Sequence, residues 1–426
     1  MKRYSEYKDS GVKWIGEIPG HWKMPKLNRV VSKVGSGSTP RGGSEVYIDE
    51  GIKFLRSQNI HFEGLNLDSV VYIPDSINEQ MKNTQVQPFD VLLNITGGSI
   101  GRCFYVDDTL GKANVNQHVC IIRPLSVNYR FLKYFLQSNS GQSQVWFYQK
   151  GDREGLSAES IKTFRLPLPP LPEQQAIVTY LDTKVAKIDE YISIAEKKIA
   201  ALEELRQTII AEAVTRGIHK DVPMKDSGVK WIGMIPEHWK VHKIRSHFKE
   251  RRVKVSDKDF QALSVAKIGI VPQLEDACKT DNGDNRKQVL KGDFVVNSRS
   301  DRKGSCGISP LDGSVSLINI VLRPFNILQE YVHYLFRSHN YIEEFYRNGR
   351  GIVADLWTTR YSEMRNIQIP VPPLSEQQEI VTYIEAKVAN INQLCQAERS
   401  QIEKLKEYKQ RLISDVVTGK VKVTND

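Results

Sequence analysis

Two glycine-rich loops that each end in an arginine are the parts of this chain best suited to binding a charged group. The first covers residues 35–41 (GSGSTPR), and the second covers residues 96–102 (TGGSIGR), directly after a predicted strand. Such turns can present backbone N–H groups to a phosphate while Arg41 or Arg102 supplies positive charge. A plain hairpin turn explains either loop, taken alone, at least as well.

A third loop repeats this arrangement later in the chain with charged side chains in place of glycines. The strand-like stretch at residues 294–298 is followed by RSDRKGSCG, which places Arg299, Arg302 and Lys303 close together. Farther along each half, KGDREGLSAESI and NGRGIVADLWTTRYSEM occupy equivalent positions. Both halves therefore offer cationic loops at corresponding places.

The motifs of an enzyme are missing from the sequence. It contains no G-x-x-x-x-G-K-[ST] phosphate loop, no N-P-P-[YF] adenine-methylation motif and no H-E-x-x-H zinc motif. The five cysteines are scattered and form no C-x-x-C pair, which argues against a disulfide framework or a zinc site. We interpret Glu173 and Glu376 as structural residues that suit the positive end of a helix dipole.

Net charge and hydropathy limit the kinds of partner that this chain could have. Sixty Lys and Arg against fifty Asp and Glu give a net charge of +10, so a polyanionic partner is plausible, although a solvated basic surface is about equally compatible. No segment has the apolar length of a membrane span, and the start lacks a signal-like apolar region. We therefore expect a soluble protein of the cytoplasm, without a membrane partner.

The element that must position these loops is a long helix, present twice. Residues 166–215 begin with a proline-rich lead-in, after whose last proline, Pro172, a helix is expected to start. Residues 369–418 repeat the stretch without a gap, 203 positions later. Apolar residues recur at heptad spacing in both copies, which predicts that the two helices bury their narrow seams against each other. The seam includes Leu181, Ile188, Leu202, Ile384, Ile391 and Leu405.

A second duplication constrains the topology. The sequence KDSGVKWIGEIPGHWK at Lys8–Lys23 returns as KDSGVKWIGMIPEHWK at Lys225–Lys240; we call each copy a Trp motif. The chain is thus two copies of one unit, each with a Trp motif, a variable body, a proline-rich lead-in and a long helix. Because the first helix must deliver the chain to the second Trp motif, antiparallel helices are the simplest arrangement. A parallel tandem would need a long return connection, which residues 217–225 do not provide.

Each variable body is predicted to be an α+β domain. In the first, short strand-like runs at residues 52–56, 70–73, 91–95 and 119–122 alternate with turn clusters, and an amphipathic helical run, YRFLKYFLQS, follows. The second body has a different sequence but the same plan, with FVVNS, a cationic loop and the helical run YVHYLFRS. We expect a curved sheet with helices in each. The predicted division of the chain is 1–23, 24–165, 166–216, 217–240, 241–368 and 369–426.

The doubled PLPPLPEQQ/PVPPLSEQQ lead-ins, the doubled Trp motif and the two divergent bodies together resemble the specificity subunit of a type I restriction-modification enzyme. The resemblance covers essentially the whole chain. It implies that each body is a target recognition domain for half of a bipartite, asymmetric DNA site, and that the helices bind modification subunits, two per chain. Adenine methylation with S-adenosylmethionine, and ATP- and magnesium-dependent translocation and cleavage by restriction subunits, would belong to the partners, so no cofactor or metal is expected on this chain.

This resemblance turns the cationic loops into candidate DNA contacts and the helix seams into candidate partner contacts. The residues expected to contact DNA are Arg41, Gly98, Ser99, Arg102, Lys150, Arg153, Arg299, Arg302, Lys303, Arg350 and Arg360. Those expected to contribute to partner binding are Leu181, Ile188, Leu202, Ile384, Ile391 and Leu405.

Two other function classes stay open at this stage. A nuclease or methyltransferase with an unrecognised active site would show activity without partners. A coiled-coil adaptor that does not bind DNA would fail a salt-dependent DNA-binding assay. A DNA-mimicking inhibitor is disfavoured because its surface should be acidic.

Overall fold

The chain folds into two units that each combine a body with parts of both long helices. The computed structural model describes residues 2–149, 155–273, 283–351 and 357–424. The first unit contains residues 1–195 and 400–426, and the second contains residues 196–399. We describe them in turn as unit 1 and unit 2.

In the residues that the structure describes, unit 1 contains nine strands and four complete helices, together with the start of one long helix that continues into unit 2 and the end of another that begins there. The strands are β1 (Tyr7–Asp9), β2 (Glu17–Pro19), β3 (Val31–Ser36), β4 (Ile52–Leu55), β5 (Val71–Ile73), β6 (Val91–Asn94), β7 (Cys103–Tyr105), β8 (Ala113–Val115) and β9 (Val119–Pro124), in the part of this unit that the structure describes. The helices are α1 (Asp75–Gln80), α2 (Tyr129–Gln137), α3 (Asn139–Tyr148), α4 (Ala158–Lys162) and α5 (Leu171–Arg216).

Unit 2 repeats this order of elements with differences. Its described strands are β10 (Met224–Asp226), β11 (Met234–Pro236), β12 (Lys240–Lys243), β13 (Phe248–Glu250), β14 (Lys254–Val255), β15 (Leu263–Ala266), β16 (Gly269–Pro272), β17 (Arg286–Val289), β18 (Phe294–Asn297), β19 (Cys306–Ile308), β20 (Gly313–Val315), β21 (Asn319–Pro324) and β22 (Gln368–Val371). Its helices are α6 (Gln329–Arg337), α7 (His339–Arg347), α8 (Tyr361–Met364) and α9 (Leu374–Val417), the last of which ends in unit 1.

One four-stranded antiparallel sheet is common to both units. Its order is β3-β9-β6-β7 in unit 1 and β13-β21-β18-β19 in unit 2. Corresponding strands occupy corresponding places, so this sheet, which we call the shared sheet, confirms the predicted internal repeat. The second sheets differ, because β4 pairs with β8 in parallel whereas β17 pairs with β20 antiparallel.

The two inner strands of each shared sheet, β6 and β9 in unit 1 and β18 and β21 in unit 2, read as nearly continuous apolar runs because they are buried on both faces. In β6, Val91 and Leu93 pack into a core with α2 and α5, while Leu92 packs into a separate core beneath the second sheet. In β18, Phe294 and Val296 likewise point away from Val295. Successive side chains of a strand point to opposite faces, so burial of both faces requires every residue to be apolar. The predicted strands at residues 91–95, 119–122 and 294–298 are confirmed within a residue or two at their ends.

The two long helices are confirmed, with one correction at the start. Helix α5 begins at Leu171 rather than after Pro172, since proline lacks only an N–H that the first turn leaves unpaired in any case. The helices pair antiparallel. Lys198 of α5 contacts Glu398 of α9 at 2.5 Å, and further along α5 Arg206 contacts Asn392 of α9 at 3.3 Å. Residue numbers in α9 therefore decrease along the contact as those in α5 increase.

Each Trp motif is a short hairpin that packs against the start of a long helix. Strands β1 and β2 pair antiparallel, as do β10 and β11, which adds regular structure to the packed arm expected from the sequence. In unit 1 the fully buried Trp22 donates its Nε1–H to Glu173 at 3.1 Å, and His21 Nε2 lies 2.9 Å from the same carboxylate. In unit 2, His238 Nε2 lies 2.7 Å from Glu376. Both glutamates lie in the first helical turn, in the structural role predicted for them.

Candidate nucleic-acid interface

Three separate loops converge beside the shared sheet in unit 1. The β6–β7 loop, the turn between β8 and β9, and the segment that begins at Gly155 are joined by backbone hydrogen bonds. Ile95 N donates to His118 O at 3.0 Å, Leu156 N donates to Ile95 O at 2.8 Å, and Thr96 forms an isolated β-bridge with Gly155. We call this group of loops corner 1. Its position follows from topology, because β6 and β9 are neighbours in the shared sheet.

The loop that carries Arg41 is held against corner 1 by a close backbone approach. Gly37 N donates to Val119 O at 2.8 Å, and a Cβ atom built on Gly37 would lie only 2.2 Å from Val115 O and 2.3 Å from Asn116 O. A side chain at this position would displace the β8–β9 turn, so glycine is required here. Arg41 is exposed four residues further on, in the same loop.

The β8–β9 turn of corner 1 presents polar groups. His118 Nδ1 lies 2.5 Å from Thr96 Oγ1, and His118 Nε2 lies 2.9 Å from the Gln117 amide nitrogen. His118 is half-buried and Gln117 is exposed. Thr96 and Gln117 together fix the imidazole orientation, which leaves the Gln117 amide at the surface with hydrogen-bonding capacity to spare.

The predicted DNA-contacting residues of the β6–β7 loop lie on the same corner. Gly98 is exposed, whereas Ser99 and Arg102 are half-buried. Ser99 Oγ accepts from Asn94 Nδ2 at 3.1 Å, and Gln142 Nε2 from α3 donates to Gly101 O at 3.0 Å, so both ends of the loop are anchored. The structure thus places Gly98, Ser99 and Arg102 in corner 1, and Arg41 in the adjoining loop whose Gly37 contacts the β8–β9 turn. The predicted residues Lys150 and Arg153 lie outside the described part of the chain.

Unit 2 contains the equivalent corner, which we call corner 2. Ser298 Oγ donates to Ile318 O at 2.6 Å, Thr359 N donates to Ser298 O at 3.0 Å, and Arg299 forms a β-bridge with Thr358. Tyr346 OH from α7 contacts Asn297 O at 3.0 Å and Arg302 O at 3.2 Å, and so anchors the β18–β19 loop. Burial raises the pKa of this phenol, which therefore remains a donor.

The three predicted cations of the β18–β19 loop are partly neutralised by nearby carboxylates. Arg299 and Arg302 lie 3.0 and 3.7 Å from Asp301, and Lys303 lies 3.0 Å from Glu343. Exposed ion pairs of this kind are worth only about 0 to 1 kcal/mol, so these cations remain available to a phosphate at low cost. The predicted residues Arg350 and Arg360 are also exposed.

Corner 2 also borders a cavity of about 500 Å³ that the sequence reasoning did not anticipate. Leu317 and Ile318, on the β20–β21 turn, line it with Arg252, Lys287 and Arg360. Glu250 accepts hydrogen bonds from Arg252 at 2.6 Å and Lys287 at 3.5 Å, and the Arg252 bond raises the pKa of that guanidinium. The cavity lining therefore combines an apolar turn with three cations and one carboxylate.

The comparison with known families decides the assignment. The profile described as "Type I restriction modification DNA specificity domain" matches residues 19–204 and again residues 238–404. This chain belongs to that family. The two matches correspond to the two copies of the internal repeat.

Relatives of known type support this specificity-subunit family assignment over nearly the full length. The chain is 23% identical to a protein of Methanocaldococcus jannaschii assigned as the specificity subunit of the type I restriction enzyme MjaX, over 96% of each chain. It is 19% identical to the StySPI specificity subunit of Salmonella potsdam, covering 95% of this chain and 90% of the relative. A solved structure from a study of type I restriction-modification assembly matches its fold with a TM-score of 0.68 at 16% identity, covering 94% of this chain and 98% of that one.

Most of the heptad residues predicted to help bind partners lie in the interior of this specificity subunit. Leu181, Ile188, Ile384 and Ile391 are buried within their units, and Leu202 and Leu405 are half-buried. Side chains that pack one long helix against the other are not available to a second protein. A partner surface on these helices must therefore use the exposed faces.

Two arginines have a structural role, because they pair with carboxylates at the ends of the shared sheets opposite to the corners. Asp90, fully buried, accepts from Arg123 Nε and Nη2 at 2.7 and 2.8 Å. Asp293 makes the corresponding pair with Arg251 at 2.6 and 3.0 Å. The two carboxylates are equivalent, but Arg123 lies in β9 whereas Arg251 directly follows β13. The turn residues Gln117, His118, Leu317 and Ile318 were missed, although each pair lies just before the recurring strand that ends in Arg-Pro.

In the part of the chain that the structure describes, none of the helices combines the length and the hydropathy of a membrane span. In the same residues, no group of three or more His, Cys, Asp and Glu side chains is arranged to hold a metal ion.

Proposed function

We propose that this chain is the DNA-recognition subunit of a type I restriction-modification complex and that its two bodies read the two halves of a bipartite, asymmetric site. The observation that carries the proposal is the pair of corners. The same three loops meet beside the same sheet in both units, yet the side chains that they present differ. Equivalent frames with different side chains suit two different half-sites.

The proposed mode of binding combines phosphate contacts with base contacts. Exposed Arg41, Arg350 and Arg360, with Arg102 half-exposed, suit the phosphate backbone, which receives most protein–DNA hydrogen bonds. A net charge of +10 supports the same choice of ligand. The polar and apolar turn residues at the corners are the candidates for contacts to base edges.

The exposed faces of the helices support two modification subunits per chain. Apolar side chains are exposed at matched positions of the two copies: Leu171 and Leu374 (57% and 59% exposed), Tyr191 and Leu394 (62% and 42%), and Leu205 and Tyr408 (48% and 45%). Large apolar side chains that are exposed at equivalent sites of both copies indicate a contact surface, whereas a single exposed apolar side chain does not. Each unit contains one member of each pair: Leu171, Tyr191 and Tyr408 lie in unit 1, and Leu374, Leu394 and Leu205 lie in unit 2. Each unit would therefore bind one modification subunit.

We further propose that restriction subunits join this assembly and that S-adenosylmethionine, ATP and magnesium are bound by the partner subunits. The support is that the sequence carries neither a G-x-x-x-x-G-K-[ST] phosphate loop nor an N-P-P-[YF] adenine-methylation motif. In this arrangement the chain selects the site, and its partners methylate adenine or cleave the DNA.

Partner stoichiometry tests the matched surfaces. Single Tyr191→Glu and Leu394→Glu substitutions should each reduce the number of modification subunits in the native mass spectrum from two to one, and the double variant should bind none. The matched control is Lys187→Glu, at an exposed position of the same helix. If both single variants retain two subunits, these faces do not form the partner surface.

Mapping of methylated adenines in cells that carry this chain with its modification subunit tests the function itself. One bipartite motif with two different halves is expected. Exchange of residues 241–368 for the equivalent body of a relative should then change one half and preserve the other. A contiguous palindromic site, or a change in both halves, would contradict the assignment of one half-site to each unit.

A further inference from the structure

The β8–β9 turn of corner 1 and the β20–β21 turn of corner 2 share one backbone geometry. In the first, Val119 N donates to Asn116 O at 3.1 Å, and in the second, Asn319 N donates to Ser316 O at 3.0 Å. Each turn leads into the strand that is second in the order of the shared sheet, β9 or β21. Each turn also accepts a hydrogen bond from the residue directly after the neighbouring strand, Ile95 after β6 and Ser298 after β18. The two turns therefore present their middle residues from equivalent frames.

The chemistry presented by those middle residues is opposite. Corner 1 presents Gln117 and His118, an amide and an imidazole. Corner 2 presents Leu317 and Ile318, which are 39% and 40% exposed on a tight turn. Exposure of two adjacent aliphatic side chains on a turn is unfavourable in water, so a ligand that covers them would gain free energy from their burial.

The surroundings of Leu317 and Ile318 limit the choice of ligand. Arg252, Lys287 and Arg360 line the same cavity, with Glu250 as its single carboxylate. Glu250 pairs with both Arg252 and Lys287, so the lining carries three cations against one carboxylate. A purely apolar protein partner would cover this excess of positive charge without compensating it. The major groove of duplex DNA offers both requirements together, since it presents the thymine C5-methyl group between rows of phosphates.

We propose that corner 2 recognises thymine through contact of Leu317 and Ile318 with its methyl group, whereas corner 1 recognises a base edge by hydrogen bonds from the Gln117 amide, which His118 orients. This inference rests on the proposed function and specifies the readout at each corner. Glutamine suits the N6 and N7 edge of adenine, and aliphatic side chains suit the thymine methyl. The two half-sites would thus differ in the kind of contact as well as in sequence.

The test uses the chain in complex with its modification subunits and duplexes that carry the mapped site. Deoxyuridine is placed at each thymine of one half-site at a time, which removes only the methyl group. In the half-site assigned to unit 2 by body exchange, each contacted methyl should be worth about a fourfold loss of affinity. In the half-site assigned to unit 1, the same replacement should leave affinity unchanged.

Two variants locate the contact. Leu317→Ala with Ile318→Ala should weaken binding to the thymine duplex by about five- to twentyfold and abolish the difference between thymine and deoxyuridine. Gln117→Ala with His118→Ala is the matched control, which should weaken binding yet preserve that difference. The deoxyuridine measurement on the unmodified chain needs no variant, so a folding defect in either variant does not remove the test.

The outcomes separate this inference from the proposed function. Absence of any specific duplex or methylation motif would overturn the proposed function. A specific site whose unit 2 half lacks thymine, or tolerates deoxyuridine at every position, would overturn the inference and leave the function intact. A Leu317→Ala, Ile318→Ala variant that still prefers thymine over deoxyuridine would also overturn the inference and leave the proposed function intact.

Discussion

At the residue scale, one position of the repeat holds a base of a different kind in each unit, a buried lysine in unit 1 and a half-buried histidine in unit 2. Lys133 of α2 and His333 of α6 occupy equivalent places. Burial lowers the pKa of Lys133 to about 8, while its Nζ lies 4.5 Å from the ring centre of Tyr134. Burial, with a smaller contribution from Arg337, lowers the pKa of His333 to about 4. Both groups are therefore less basic in the folded chain than in the unfolded one.

His333 should make the stability of unit 2 depend on pH below neutrality. Since its pKa falls from 6.5 to about 4 on folding, the unfolded state binds a proton that the folded state does not bind between these values. The free energy of unfolding should therefore fall by about 2 to 3 kcal/mol from pH 7 to pH 4 through this group. Urea denaturation of His333→Gln should show a smaller loss over this range than the unmodified chain.

The control for this prediction is His339→Gln, because His339 is exposed in the next helix. That variant should keep the pH dependence of the unmodified chain. An unchanged pH dependence in His333→Gln would show that the imidazole is protonated without penalty in the folded state.

At the scale of elements, the long helices are held by a narrow buried seam rather than by charge. Leu181 and Ile188 are buried in unit 1, and Ile384 and Ile391 in unit 2. Ion pairs such as that of Lys409 with Asp189 at 2.7 Å flank the seam. Such pairs contribute less than burial does, so the seam should dominate the stability of helix pairing.

Replacement of Leu181 by Asp tests the seam. It removes a fully buried apolar side chain and buries a charge without a partner, so we expect a loss of about 4 kcal/mol or more in the free energy of unfolding. Lys187→Asp, on the exposed face of the same helix, should cost less than about 1 kcal/mol. Equal losses in a denaturant titration of the two variants would mean that the seam does not carry the pairing.

At the scale of the whole molecule, a net charge of +10 and the cationic corners predict that DNA affinity is largely electrostatic. If six to ten phosphates are neutralised, log K should fall against log salt with a slope of roughly −5 to −9. Fluorescence anisotropy between low and physiological salt measures this slope. Arg360→Ala should reduce its magnitude by about one if Arg360 contacts a phosphate, and a flat response would contradict DNA binding of this kind.

The sequence by itself determined the repeat, the two long helices and the specificity-subunit family. It could do so because heptad spacing and a repeated motif are visible within the linear order of residues. Strands such as β6, β9 and β18 were also evident, since burial on both faces leaves an unbroken apolar run. The predicted domain boundaries and individual DNA contacts remain predictions.

Only the tertiary structure decided which loops meet. Residues 96, 118 and 155 are far apart in sequence, and they converge because β6 and β9 are sheet neighbours and the chain returns past them after α3. Whether an arginine is free or structural was decided in the same way, since Arg123 of β9 and Arg251 after β13 pair with equivalent buried carboxylates. Pairing between distant residues depends on strand order and register, which a local pattern does not contain.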